Sequence, residues 1–498
     1  MIEVHNSAAR SQVDEAVLFP FDQHSFPFTF GLRLHMEGDS HTPHPIVVLP
    51  GPSGAPDDAR TRFYGTVIPM GDELRMWYLG SGHLDGDFFC RICYATSRDG
   101  VHWERPNLGL VSYNGNRDNN LIDLPGIEGS IASFAVLHDP TEADPQRRFK
   151  MTIQCKYYRG RLSVAYSPDG LRWTQSPNNP CGVNIEMSGL IRHKGCYYVN
   201  GHGSFQYGMK RNLITYASYD FENWTFASCL GFRRDRIPHR TIAQIDDAGN
   251  SGEQVHLGAG LWDRGTVILA AYDIWHGHPS GDRTLLTMDI GLLISHDALH
   301  FEEPIPDFKL VRAIEPAGGE GASKPEEGLP PLRRGPALSR GQGMCNWGEE
   351  TLFWYEGWVD GGIRLARWPQ DRLGFMRAFN PRELGWQGGP AYWHETARHL
   401  ITCPISLGAT DAQVFLNVGG LSEHSTVTVE VQNEKFQPLP GYEVQDCAAL
   451  RESGLRVPVR WKGRDGVRVG DGPIRLRVNF GGIRPEDAQL YAIYIVSK

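Results

Sequence analysis

Four segments of this chain repeat one short pattern: serine, any residue, aspartate, three residues, then an aromatic ring. They are Ser97-Arg-Asp99-Gly-Val-His-Trp103, Ser167-Pro-Asp169-Gly-Leu-Arg-Trp173, Ser218-Tyr-Asp220-Phe-Glu-Asn-Trp224 and Ser295-His-Asp297-Ala-Leu-His-Phe301. A fifth, degenerate copy keeps only the spacing from aspartate to aromatic, Asp371-Arg-Leu-Gly-Phe375. Successive aspartates lie 70, 51, 77 and 74 residues apart. A repeat of that kind dictates architecture, because each unit must bury its apolar face against the next.

The pattern describes a tight hairpin. An aspartate carboxylate can accept a hydrogen bond from the backbone N–H two residues on and so close a turn. In two copies glycine follows and supplies a permissive backbone. The aromatic then starts the outgoing strand and packs between sheets. These aspartates are therefore expected to be structural.

Strand-like runs precede each turn. They fall at 64–69, 74–79 and 91–96 in the first unit, and at 132–138, 149–155 and 162–166 in the second. They continue at 188–192, 196–200 and 213–218, then at 254–262, 267–272 and 290–295, then at 343–347, 351–355 and 363–367. Four strands per unit and five units predict an all-β chain whose main body, 61–378, is a five-bladed β-propeller. Residues 1–60 are expected to be an extension leading into the first blade. Beyond 378 the aspartate turn disappears, and alternating runs at 412–418, 426–432, 457–461, 474–480 and 490–496 predict a β-sandwich over 379–498. The Pro- and Gly-rich stretch 315–336 is expected to be a lid-forming or disordered loop.

Composition narrows the function classes. Of 498 residues, 40% are hydrophobic and 21% charged, which allows a packed core. The net charge of −9 and the lack of a basic tract point away from nucleic acid. There is no run of eighteen apolar residues and no basic-then-apolar leader at the start, so neither a membrane span nor a signal peptide is expected. The 9 cysteines, odd in number and irregularly spaced, suit a reducing, cytoplasmic setting. Cys90 and Cys93 form a CxxC with no second copy. On a strand the two would point to opposite faces, so a zinc site is not expected. No cofactor and no metal is assigned.

With these units and the segments Ala95-Thr-Ser-Arg-Asp-Gly-Val-His-Trp-Glu-Arg-Pro106 and Val164-Ala-Tyr-Ser-Pro-Asp-Gly-Leu-Arg-Trp173, the chain resembles the five-bladed glycoside hydrolases. That superfamily includes family 32 fructofuranosidases and family 43 arabinan- and xylan-acting enzymes. The resemblance covers most of the chain, and the appended sandwich is similar to that of family 32. It implies carbohydrate chemistry by paired carboxylates in a central channel. The chain departs from family 32 at its motifs. The Trp-Met-Asn-Asp-Pro-Asn-Gly type sequence is absent. His138-Asp139-Pro140 ends a strand and opens a turn instead of marking the second blade's site, so Asp139 is read as structural.

Candidate residues follow from the starts of the innermost strands and the loops on the same face. Glu186 stands where the superfamily places its general acid, and Glu128 where it places a transition-state-stabilising carboxylate. Asp57 or Asp58 could supply a nucleophile or base, Glu253 is a further carboxylate, and Arg60 or Arg62 could bind a hydroxyl or an acidic sugar. The loops add His83, Asp85, Asp87, His202, Tyr207, His256, Asp273, His276, His278 and Glu356, with Trp275 and Trp358 as sugar-stacking rings. Three readings follow. The first is a glycoside hydrolase or transglycosylase acting on a furanoside-type or related sugar. The second is a non-catalytic carbohydrate-binding propeller. The third is a metal-assisted lyase or hydrolase built on the His-rich face. The expected partner is a carbohydrate, and a homo-oligomer is allowed.

Overall fold

The computed structural model describes residues 1–8, 10–39, 44–84, 87–127, 129–203, 211–234, 249–314, 336–358, 361–379, 397–408, 411–468, 470 and 472–498, without the side chain of Asp87. The expected loop 315–336 lies almost wholly outside them. The protein is nearly all β. Among the described residues, helix is limited to the three-residue 3-10 turns Pro145–Arg147, Arg283–Leu285, Val444–Asp446 and Pro485–Asp487. No helix there is long and apolar enough to cross a membrane.

Five antiparallel sheets follow one another along the chain. Sheet one holds Arg60–Met70, Glu73–Leu84 and Asp87–Ser97. Sheet two holds Ile131–His138, Phe149–Cys155, Ser163–Ser167 and Thr174–Gln175. Sheet three holds Glu186–His193, Cys196–Gly203, Asn212–Ser218 and Cys229–Phe232. Sheet four holds Gly252–Asp263, Ile268–Gly277, Thr287–Ser295 and Lys309–Val311. In sheet five, Leu338–Ser339 and Met344–Trp347 both pair with Glu350–Gly357, which pairs in turn with Ile363–Pro369. The three strands expected before each turn stand close to where the pattern put them, but sheet one has three strands among the described residues instead of the expected four.

The aspartate turns form as the repeat requires. Asp99 Oδ1 accepts from the N–H groups of Val101 and His102, each at 2.8 Å, and Asp169, Asp220 and Asp297 repeat the arrangement. The preceding serine donates its hydroxyl to the same carboxylate and accepts from the N–H three residues on. The residue after the aspartate is left-handed in all four copies: Gly100 and Gly170 at φ 77 and 78, Phe221 and Ala298 at φ 66 and 61. The last two carry a side chain in a conformation that glycine adopts without strain.

The turns also lock neighbouring sheets. Trp77 of sheet one donates its indole N–H to the Gly170 carbonyl of sheet two at 2.7 Å, and Trp354 of sheet five donates to the Gly100 carbonyl of sheet one at 3.0 Å. Around each lock the facing surfaces are apolar. Trp77 and Tyr94 pack with Phe134, Phe149 and Trp173, and Met76 and Tyr78 pack with Leu352 and Trp354. Each such side chain contributes roughly 1.5–3 kcal/mol of burial.

The first strands meet in sequence. The Val136 N–H donates to Thr66 Oγ1, the Met187 N–H to Ser133 Oγ, and the Ser188 hydroxyl to the Leu257 carbonyl. Arg340 of sheet five donates to the carbonyls of His256 and Gly258 in sheet four. The series returns to its start where the Val67 N–H donates to the Gln342 carbonyl at 3.0 Å.

Two further sheets combine strands from both ends of the chain. One joins Ile2–Val4, Ser11–Val13 and Phe28–Phe30 with Arg398–Ile401, Ile405–Ser406, Thr426–Asn433 and Ile474–Gly481. The other joins Glu15–Leu18, Leu32–Met36 and Gly374–Ala378 with Ala412–Gly419, Gly454–Pro458 and Gln489–Ser497. Alternation fixes which face is inside: Val427, Val429 and Val431 are buried with Leu416, Leu476, Val478 and Ile493.

Residues 1–60 therefore differ from the expected extension. Five of their strands complete the two last sheets, and Ile46–Val48 is the outer strand of sheet five, opposite Ile363 and Arg364. Pairing partners more than three hundred residues away leave no mark on local pattern. The fifth aspartate differs as well. Asp371 is buried and binds Arg264 of sheet four, Asn346 of sheet five and the Tyr494 hydroxyl of the last strand. It joins three sheets instead of closing a hairpin.

Candidate active site

A cavity of about 750 Å³ opens where the first strands of sheets one to four converge. Each of those strands slips register against its second strand at the cavity, between Arg62 and Thr66, Ile131 and Ser133, Met187 and Gly189, and His256 and Ala259. The inner edge of sheet five is interrupted between Ser339 and Met344. A bulge bends a strand and re-aims its side chains, which is how Tyr64, Ala132 and His256 come to line one space. At the sheet-four bulge Leu257 has φ 56 and Gly258 φ 70. A Cβ on Gly258 would lie 2.4 Å from Asn200 Oδ1, so this close approach requires glycine.

Glu186 and His202 are cross-strand neighbours in sheet three, and both line the cavity. His202 Nδ1 accepts from the Leu257 N–H at 3.0 Å, so the ring proton sits on Nε2, which faces Glu186 Oε2 at 3.3 Å. Burial holds the His202 pKa well below its usual value, with His256, Arg211 and Arg283 adding to the effect. The ring is therefore neutral. Glu186 keeps 37% of its side chain accessible through the cavity. Its enclosing walls nevertheless raise its pKa, against the opposing pull of Arg211, Arg283 and Arg62. A carboxyl of this kind can hold a proton for delivery.

Beneath them lies a buried polar layer. His256 Nδ1 is 3.1 Å from Asp273 Oδ2, which also accepts from the Ser339 hydroxyl at 2.9 Å. Asp273 and Arg340 are both fully buried, with Arg340 Nε 3.4 Å from Asp273 Oδ1. Burial pushes the Asp273 pKa up to about 7, opposed by Arg340 and by the Ser339 hydroxyl. Arg340 also donates to Ser188 Oγ, tying sheet five to sheet three. Glu356 is fully buried and accepts from the Phe63 N–H. Burial raises its pKa against Arg60 and Arg62.

The cavity gathers Glu186, His202, His256, Trp358 and Arg62 of the expected residues. It does not gather the others. Asp57 is buried against the Tyr78 hydroxyl at 2.7 Å and Arg105 at 3.0 Å. Asp58 accepts from the Gly54 N–H, and Arg60 donates to the Trp358 carbonyl. Glu253 pairs with Arg234 at 2.9 Å and with His276 at 2.7 Å. His276 is held on its other side by Asp289 at 3.0 Å. Burial alone would lower the His276 pKa, but Asp289 and Glu253 raise it to about 9. Both ring nitrogens are thus engaged, which removes His276 as a ready metal ligand. His278 Nδ1 lies 2.8 Å from Ser280 Oγ, and the His83 carbonyl accepts from Tyr113 and Asn114.

Trp275 corrects the expectation of a second stacking ring. It is fully buried, donates to the Asn250 carbonyl at 3.0 Å, and has Arg211 and Arg283 over its ring. It belongs to an unbroken run of buried residues, Ile268–Trp275, and packs with Leu286 and Met288. Glu128, Asp85 and Tyr207 lie outside the described residues, as does the Asp87 side chain. Asp139 is a turn residue, as its position implied: it accepts from Thr141 and from the Tyr197 hydroxyl.

Sequence reasoning missed Tyr64, Arg211, Arg283 and Arg340. Arg340 carried one signal, an Arg-Gly-Gln-Gly run immediately before an expected innermost strand. Tyr64 stood at the start of the expected strand 64–69, and Arg211 and Arg283 carried no signal, because the segments bearing them converge only once the sheets meet.

No family model matches the chain. Two proteins of Mycobacterium tuberculosis, both named only as uncharacterized, are 30% and 31% identical over 162 residues, which is 29% of this chain and 49% of theirs. The chain thus spans about half the length of the curated relatives it matches. Solved structures similar to it include a glycosyl hydrolase from Bacteroides ovatus, at 15% identity over 68% of this chain and 94% of that one, with a TM-score of 0.44. Another is a GH32 beta-fructofuranosidase of Bombyx mori, at 12% identity over 88% and 91%, with a TM-score of 0.35.

Proposed function

We propose that the chain is a glycoside hydrolase, or a transglycosylase of the same chemistry, built as a five-bladed β-propeller braced by a β-sandwich. The five successive sheets, and the hydrogen bonds that pass between first strands and return to Val67, support the propeller reading. The shared core around Val429 and Val478 supports the sandwich reading.

The observation that carries the activity is Glu186. It faces a cavity large enough for a sugar, and its pKa is raised by enclosure. In this reading it protonates the leaving glycosidic oxygen. His256, held through Nδ1 by Asp273, lines the same cavity beside Glu186. Trp358, beside His256 with ring centroids 5.0 Å apart, is the stacking surface.

A second reading, a carbohydrate-binding propeller without turnover, is favoured by one observation. Of the expected carboxylates that are described, Glu186, Asp57, Asp58 and Glu253, Glu186 is the one that lines the cavity. A product screen by chromatography separates the two. Wild type and Glu186→Gln are incubated with fructans, arabinans, xylans and aryl glycosides. Turnover by wild type that is lost in the variant establishes the hydrolase. Binding by both with turnover by neither establishes the binding protein.

The nine thiols are all unpaired, which supports a reducing, cytoplasmic setting.

A further inference from the structure

The cavity wall that faces Glu186 is cationic. Arg211 enters it from the start of the third strand of sheet three, and Arg283 from the short 3-10 turn after the second strand of sheet four. Arg62 and Lys156 line the same space. Glu186 and Asp282 are the lining carboxylates among the described residues, and Asp282 is committed to the Thr284 N–H and hydroxyl, each at 2.8 Å.

The two arginines are held, not loose. Their guanidinium carbons lie 4.6 and 5.6 Å from the Trp275 ring centroid, and Arg283 is also 6.0 Å from that of Trp358. Among the described residues neither meets a carboxylate at ion-pair distance. Arg211 makes one long contact, 3.5 Å to the Gly249 carbonyl. They are close enough to repel, since Arg283 adds to the burial that lowers the Arg211 pKa, with Glu186 alone opposing. Two guanidinium groups held over Trp275 at the wall of a cavity, where the Asp282 carboxylate is already committed to Thr284, form a grip for an anion. Planar forks of this kind match a carboxylate or sulfate bidentately, whereas a neutral sugar ring offers them only hydroxyls.

We infer that the cavity takes an acidic sugar, one bearing a carboxylate or sulfate, with Arg211 and Arg283 gripping the anionic group beside Trp358. This deepens the glycosidase reading and rests on it for the site, but the anion grip would stand for a binding protein too.

The test is calorimetric binding of matched oligosaccharides, uronate-bearing, sulfated and neutral, to wild type, Arg211→Gln, Arg283→Gln and the double variant, with turnover followed in parallel. The expected result is that wild type prefers one acidic series over its neutral counterpart by about 10- to 100-fold, as a hydrogen-bonded charge supplies. The preference should fall in each single variant, vanish in the double variant, and weaken with added salt. The series that is preferred identifies carboxylate or sulfate. Equal or tighter binding of the neutral series by wild type overturns the inference, as does a preference that survives in the double variant or an acidic panel that fails to bind. Acidic binding without turnover would remove the hydrolase reading and leave the inference intact. Turnover of neutral sugars alone would do the reverse.

Discussion

His202 Nε2 stands 3.3 Å from Glu186 Oε2, and the opposite ring nitrogen is fixed by the Leu257 N–H of the neighbouring sheet. The position of a proton beside Glu186 is thus set by a backbone bulge in a different sheet. Replacing His202 with Phe removes that proton while keeping the bulk. The Glu186 carboxylate then loses a stabilising dipole, so its pKa should rise further. The alkaline limb of the pH–rate profile should move up by roughly one unit. It would also leave the Leu257 N–H unpaired, at about 1–3 kcal/mol of stability. An unmoved alkaline limb would detach His202 from the proton on Glu186.

Glu186→Gln keeps the shape of the site and removes its acid. Turnover should fall by roughly 10²–10⁴-fold with ligand affinity nearly unchanged. Asp58→Asn, whose side chain only caps the Gly54 N–H, should stay within about threefold of wild type. Steady-state kinetics on one substrate checks both, and comparable losses in the two variants would contradict the assignment.

The two tryptophan variants should differ in stability, and because Trp275 also holds Arg211 and Arg283, its loss should weaken acidic-ligand binding as well. Trp358→Ala should weaken sugar binding, with a loss of about 1 kcal/mol from stacking, and leave folding nearly intact. Trp275→Ala empties a fully buried site and should cost about 3–5 kcal/mol of stability. Urea titration checks the stability difference, and calorimetric binding of a neutral sugar checks the stacking loss at Trp358.

Arg340→Met tests the buried layer. Asp273 already has its pKa pushed up to about 7 by burial, and without the cation it would be pushed higher. A carboxyl whose folded pKa is raised stabilises the fold below its unfolded value, near 4. That stabilisation is lost as pH rises through the folded value. The variant should therefore lose about 3–5 kcal/mol at pH 8 and distinctly less at pH 5. Equal losses at the two pH values would show that Asp273 does not titrate there.

The hairpin aspartates should behave in the opposite sense. Burial alone would raise the Asp99 pKa, but its bonds to His102, Val101 and Ser97 hold it well below the usual carboxylate range, and Asp220 is held down likewise by Asn223 and Glu222. Their contribution is present above the unfolded pKa and is lost as pH falls towards the folded one. Acid unfolding should begin below about pH 4. Asp169→Ala should cost about 1 kcal/mol near neutrality with little change in activity. A variant as stable as wild type would deny these turns their energetic role.

What could be read from sequence follows from range. The Asp–turn pattern acts over two or three residues, so Ser97, Asp99 and Trp103 announced their hairpin directly, and the strands before each turn followed. Glu186 was legible because it begins the first strand of its sheet and lines the cavity, whereas Glu253, at the corresponding start in sheet four, is taken up by Arg234 and His276. Trp275 was misread because its neighbours His276 and His278 gave a strand end the look of a polar loop. Arg211, Arg283 and Arg340 stayed hidden because they approach the site from three sheets whose meeting is a tertiary fact. The same holds for Ile2–Val4, whose partner Ile405–Ser406 lies some four hundred residues on.

That last pairing bears on the order in which the molecule can be completed. Strands early in this sequence pair with strands late in it, and Ile46–Val48 must await Ile363–Pro369 before sheet five has its outer edge. Until then the nascent chain carries unpaired apolar edges. Contacts of such long sequence separation are slow to form, and edges left open invite association. Shortening the chain from either end would leave sheets unfinished at both, so the molecule should acquire its stability late and nearly all at once.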